Sequence, residues 1–201
     1  MSRATHVPDL KARFGAAIER HAVICGDDIV WLAKDRAHEI LAWLKGEGYH
    51  YLVDITAVEY RDPELPLEVV WMLRDLSTRR DLRIKVSLDP KAPLGVDSVV
   101  DLWRGADWLE REVYDMFGVT FRGHPDLRRL LMWETYHEGH PLRKGFPLRG
   151  HFSRAEQTRQ ALAANPEAHY SMEELSIAEA YDDLPQEMRE RLARGERGFL
   201  K

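Results

Sequence analysis

The sequence predicts an α+β protein: a two-layer domain with helices on one face of a mostly antiparallel four-stranded sheet, then an irregular and helical C-terminal extension. Three observations carry this. Three consecutive segments between residues 49 and 88 alternate apolar and polar side chains with a period of two. Two earlier segments repeat their apolar residues at helical spacing, and the regular patterning stops at Gly118.

The first helix is expected over 9–21, where Leu10, Phe14, Ala17 and Ile18 recur behind Asp9 as a cap. Residues 28–33 read as a short strand. A second helix, about 35–46, aligns Ala37, Ile40, Leu41 and Leu44 and ends in Gly46 and Gly48. In 49–59, Tyr51, Val53, Ile55 and Ala57 share one face. The strand 67–74 turns Leu67, Val69, Trp71 and Leu73 inward, and 81–88 sets Leu82, Ile84, Val86 and Leu88 against Arg83, Lys85 and Ser87. That alternation belongs to a sheet buried on one face. Helices at about 97–103 and 107–117 close a domain spanning 1–117.

Residues 118–152 carry four of the nine histidines among scattered Gly, Pro and Arg, with no sustained period. A segment of that kind cannot build its own core and is expected to dock on a partner and to order only against it. Residues 153–201 read as a polar helical extension contacting partner subunits. Ser153-x-x-Glu156 and Ser171-x-x-Glu174 are capping boxes, and Pro185 opens a last helix.

Composition excludes several functions. A net charge of −5 gives no reason to expect nucleic acid. The single cysteine, Cys25, cannot form an internal disulfide, hold an iron–sulfur cluster or build a CxxC zinc site, and is expected as a small buried hydrophobe. The N-terminus lacks the apolar core of a signal peptide, and no stretch approaches 18 apolar residues, so membrane association is expected only through a partner. No glycine-rich loop joins a strand to a helix for a dinucleotide, and no Gly-x-Ser-x-Gly elbow occurs.

On the 107–117 helix, Trp108, Glu112 and Asp115 fall on one stripe, with Arg111 beside them and Glu110 on the far side. Paired carboxylates at this spacing serve a metal or acid–base chemistry, or an ion-pair lattice whose cations are Arg111, Arg128 and Arg129. The lattice is the expected reading. His124, His137, His140 and His151, with Glu134 and Glu138, raise a metal site. The order His-Glu-x-x-His is absent, however, and Gly139 and Pro141 oppose a regular helix there. Each His-Pro step holds its histidine extended, suited to a fixed turn.

The run EREVYDMFGVTFRGHPDLRRLLM, which contains Glu110, Arg111, Glu112, Asp115, His124, Asp126, Arg128 and Arg129, resembles the signature of the C subunit of respiratory complex I. The later GHPLRKGFPL, with His140, Arg143 and Lys144, is similar to that family's second hallmark, except that Gly145 stands where the family usually has aspartate. The resemblance implies a non-catalytic structural subunit of the hydrophilic arm of a proton-translocating NADH:quinone oxidoreductase, peripheral on the cytoplasmic face of the inner membrane. It implies packing on the D subunit near the quinone site and beside an iron–sulfur subunit, with these eleven residues at an interface or in a structural lattice. FMN, iron–sulfur clusters and quinone would belong to partner subunits, and this chain would bind no cofactor. The rival readings are the equivalent subunit of a membrane-bound hydrogenase or ferredoxin-type dehydrogenase, and a free-standing metal-dependent hydrolase.

Overall fold

The computed structural model describes residues 6–62, 65–133, 135–148 and 150–164. The chain divides into two units, Met1–His151 and Phe152–Lys201. The first runs past the boundary expected at 117 and takes in the irregular segment up to His151.

A five-stranded sheet in the order β1-β2-β5-β4-β3 forms one layer of the first unit. Its strands are β1 (Ile18–Ile24), β2 (Asp27–Leu32), β3 (Tyr51–Val58), β4 (Leu67–Asp75) and β5 (Arg80–Leu88). All neighbours are antiparallel except β2 and β5. The helices α1 (Val7–Phe14), α2 (Ala37–Gly46) and α3 (Ala106–Phe117) share one core with it. Leu10, Phe14, Ile40, Leu41 and Leu44 meet Val30, Leu32, Val69, Trp71, Leu82, Ile84 and Val86 there. Deep burial of so many branched side chains is the main force holding the layers together. α3 lies against β3. A second, two-stranded parallel sheet joins β6 (Gly95–Asp97) to β7 (Thr120–Arg122) on either side of α3 in the sequence.

The sheet has five strands rather than four because the first helix stops at Phe14, and Ile18–Ile24, expected as helix to 21, is strand. Cys25 and Gly26 form its two-residue hairpin turn, with φ of 54° and 92° and Ile24 paired to Asp27. Positive φ at both positions matches the right-handed twist of the strands. Cys25 is therefore exposed at the tip, not buried.

β3 also departs from strict alternation. Its register shifts between Leu52 and Asp54, a bulge that turns Leu52 toward the core and leaves Tyr51 and Val53 exposed. Residues 97–103 are not helical: 95–97 are strand, and turns follow.

The sheet's second face is not simply solvated. Glu68 accepts from Trp31 Nε1 at 2.6 Å, Lys85 Nζ at 2.7 Å and Tyr60 OH at 2.7 Å, and Arg20 covers the Trp31 ring at 4.1 Å. Burial pushes the Glu68 carboxyl up, but the bonds from Lys85, Trp31 and Tyr60 outweigh it and hold it below the usual range.

In the second unit, α4 (Arg154–Ala164) begins at Ser153, whose Oγ accepts the Glu156 amide at 3.3 Å, as the capping box predicts. Glu134, the box at Ser171 and the helix after Pro185 lie outside the described residues. Among the described residues, no helix is long and apolar enough to cross a membrane.

Candidate functional site

The motif residues gather around α3, and the helix's C-terminal half explains most of them. An α-helix leaves its last four carbonyls without partners of its own. In α3 each is met by the chain that follows. Tyr114 O accepts the Gly118 amide at 2.9 Å, and Asp115 O accepts His140 Nδ1 at 2.9 Å. Met116 O takes the Leu142 amide at 3.0 Å, and Phe117 O takes Arg143 Nη1 at 3.3 Å. Gly118 makes the turn possible. Its φ is +79°, and a Cβ there would stand 2.6 Å from the His140 imidazole.

Asp115, fully buried, is the strongest node. Its Oδ2 accepts the amides of Leu130, Leu131 and Met132 at 3.1, 2.8 and 2.8 Å, while Oδ1 accepts Arg129 Nη1 at 2.6 Å. Burial pushes its carboxyl up, but the Met132 amide, Arg129 and the two other amides prevail and hold it below the ordinary value. Arg129 also donates to Gly139 O at 3.0 Å and covers the Tyr136 ring at 5.1 Å, so one guanidinium ties α3 to two points of the segment. Arg111 adds two bonds, to the carbonyls of Arg128 at 3.2 Å and Arg129 at 3.1 Å.

The first half of α3 is anchored by Glu110. It is fully buried, and its two oxygens accept the Ser98 hydroxyl and the Val99 amide, each at 2.7 Å. Among the described residues, no cation pairs with it. Burial pushes its carboxyl up to about 7 against those two bonds, and Asp101 and Asp107 push in the same direction. His124, whose side chain is fully buried, accepts the Asp126 amide on Nδ1 at 3.0 Å, so its proton sits on Nε2, which donates to Asp107 O at 3.2 Å. This imidazole pins the turn after β7 to the start of α3.

The remaining expected residues do not join this lattice through their side chains. Glu112 is exposed and makes no ion pair among the described residues. Arg128 pairs with Asp126 at 2.9 Å on the outside, and it is Arg129 that reaches the helix. Lys144 is exposed; its amide, at 2.5 Å, and Arg143 Nε, at 3.0 Å, both donate to Glu59. Glu59, Ser98 and Tyr136 carry no sequence signal. The αL position of Gly118 does, in the break of pattern after Phe117.

No pair of carboxylates shares a cleft on α3: Glu110 is turned to the 98–99 turn, Asp115 to 129–132, and Glu112 to solvent. Among the described residues, no group of three or more His, Cys, Asp or Glu is placed to hold a metal ion. His124 and His140 serve opposite ends of α3.

The family described as the respiratory-chain NADH dehydrogenase 30 kDa subunit matches residues 30–152, from β2 through the whole wrapping segment. This chain belongs to that family. The NADH-quinone oxidoreductase C subunit of Citrifermentans bemidjiense is 39% identical over 145 residues, 72% of this chain and 89% of that protein. The C/D protein of the same enzyme from Acinetobacter baylyi is 38% identical over 152 residues, 71% of this chain but 25% of that longer protein. Among solved structures, the trypsin-resistant fragment (1-134) of Nqo5 superposes with a TM-score of 0.53 at 30% identity, covering 60% of this chain and 96% of that one. A chain of the archaeal membrane-bound sulfane sulfur reductase gives a TM-score of 0.61 at 20% identity over 77% of this chain and 88% of that one, and shares the fold.

Two expectations follow from this geometry. Gly118→Ala should destabilise the 30 kDa-family fold by about 2 kcal/mol or more, the αL cost plus the clash with His140, measured by chemical denaturation. A loss below about 0.5 kcal/mol would remove the capping argument. Glu110 gives the second. Its folded carboxyl titrates near 7 against an ordinary 4.5, so the native state holds the extra proton between those values. Wild-type stability should therefore fall as pH rises from about 4.5 to 7, by about 3 kcal/mol, and then level off. Glu110→Gln should flatten that decline. Parallel pH profiles for the two proteins would contradict the role given to Glu110.

Proposed function

We propose that this chain is a subunit of an NADH:quinone oxidoreductase that acts by holding structure rather than by catalysis. Its relatives named as the C subunit of NADH-quinone oxidoreductase match it over nearly their full length, and this observation carries the reading. Glu110, Asp115, His124, Arg129 and His140 are all spent on backbone amides, carbonyls and partner groups within the chain, which leaves none of them poised for substrate. Redox chemistry in such an assembly belongs to flavin, iron–sulfur and quinone sites on other subunits.

The expected neighbour is a D-type subunit, because in Acinetobacter baylyi the two are one C/D protein and must stay close together. An iron–sulfur subunit completes the junction in this reading. The surface presented to them is the outer side of the wrap: exposed Leu131, Leu142 and Leu148, with Arg128, Lys144 and Trp108. Exposed apolar side chains on a segment pinned from beneath are suited to burial by a partner. Attachment to the membrane follows from the complex, on its cytoplasmic face.

Arg129→Glu tests the division between structure and catalysis. It places a carboxylate beside buried Asp115, a repulsion worth several kcal/mol. Assembled complex on native gels should drop several-fold, with NADH:quinone turnover per assembled complex unchanged. Normal assembly with lost turnover would contradict the proposal.

A further inference from the structure

An open cleft of about 580 Å³ lies beside the wrap. Its walls come from distant parts of the chain, among them Glu59 and Asp62, Lys91, Glu138 and Arg143, and His151. Most of the charged groups in it are engaged. Glu59 binds Arg143 and the Lys144 amide, His140 binds Asp115 O, and Asp62 and Lys91 have partners as well. Glu138 stands apart. Both of its carboxylate oxygens are closed to solvent and neither has a hydrogen-bond partner.

A carboxylate in that position is costly unless it meets a cation or a donor. Its backbone is not free to retreat, because Arg129 holds the next residue's carbonyl and His140 is bonded to α3. Tyr136, two residues earlier, is buried under the same arginine. The residue as a whole is partly exposed and lines the cleft, so its side-chain torsions can carry the carboxylate into that space.

We propose that the cleft is a socket for a cationic side chain, an arginine or lysine of a neighbouring subunit, and that Glu138 is the anion that binds it. Among the described residues of the cleft, Glu138 is a carboxylate with neither oxygen partnered, and a guanidinium or ammonium supplies the missing charge and donors. A metal ion is a poorer occupant, because no group of three ligating side chains is assembled among the described residues. Gly145 lines the same cleft, and a Cβ there would meet nothing within 4 Å, so side chains can be introduced at its wall without disturbing the fold.

This inference rests on the proposed function, and the experiment separates the two. Tagged full-length chain is recovered from detergent-solubilised membranes, as wild type, as Glu138→Gln and as a variant with a photo-crosslinking amino acid at 145. Glu138→Gln loses no internal bond, so the free chain should melt at or above the wild-type temperature while retention of the other subunits falls at least about tenfold. The crosslinker at 145 should capture a peptide of another subunit that contains Arg or Lys. Full retention by Glu138→Gln would overturn the socket, and so would crosslinks confined to this chain's own residues. If wild-type chain brings down no oxidoreductase subunit, the proposed function fails and the socket with it.

Discussion

The final turn of α3 has carbonyls that the helix cannot satisfy, and the irregular segment that ends the first unit takes its shape from supplying them. Gly118, His140, Leu142 and Arg143 reach the four carbonyls from Tyr114 to Phe117, and Asp115 draws in the amides of Leu130 to Met132 from the other side. A segment with no periodicity and little core of its own thereby gains a defined path. Its stability is borrowed from α3, which in turn is fixed by Val113, Met116 and Phe117 in the main core.

Two buried carboxylates on one helix show how environment divides their roles. Asp115 gathers three amides and a guanidinium, stays ionised and acts as a hub. Glu110 has one amide, one hydroxyl and no paired cation among the described residues, so the cost of burying its charge is only partly offset and it titrates near neutrality. The lattice is therefore not a set of matched ion pairs. Most of its bonds run from side chain to backbone, which fixes chain direction more tightly than charge pairs at a surface would. The outward side chains, free of that duty, remain for neighbours.

Much of this is legible in the residues. Strands β4 and β5 and helices α2 and α3 follow their periodicity closely, and the motif around 110–131 marks the region that matters. The departures have local causes. Residues 18–21 read as helix because Ala17 and Ile18 extend the spacing of Leu10 and Phe14, while Cys25-Gly26 is an unusual pair for a two-residue hairpin turn. The bulge in β3 moves Tyr51 and Val53 outward with no signal in composition. The helical wheel puts Glu112 with Asp115 and Glu110 opposite, yet Glu110 is buried as fully as Asp115 while Glu112 is exposed, because the turn at Ser98 and Val99 packs over that side of α3. Arg128 and Arg129 are indistinguishable by type, and only the path of the chain decides which faces Asp115.

Every bond that Asp115 makes lies within this chain, so the wrap around α3 is expected to hold without a partner, against the reading that it orders only on docking. Hydrogen exchange on the isolated full-length chain, wild type against Asp115→Asn, tests this most directly. Amides at Leu130, Leu131, Met132 and Leu142 should be protected in the wild type, and that protection should be lost selectively in the variant while β4 and β5 stay protected. Fast exchange at those four amides in the wild type, or unchanged protection in the variant, would contradict a self-supported wrap.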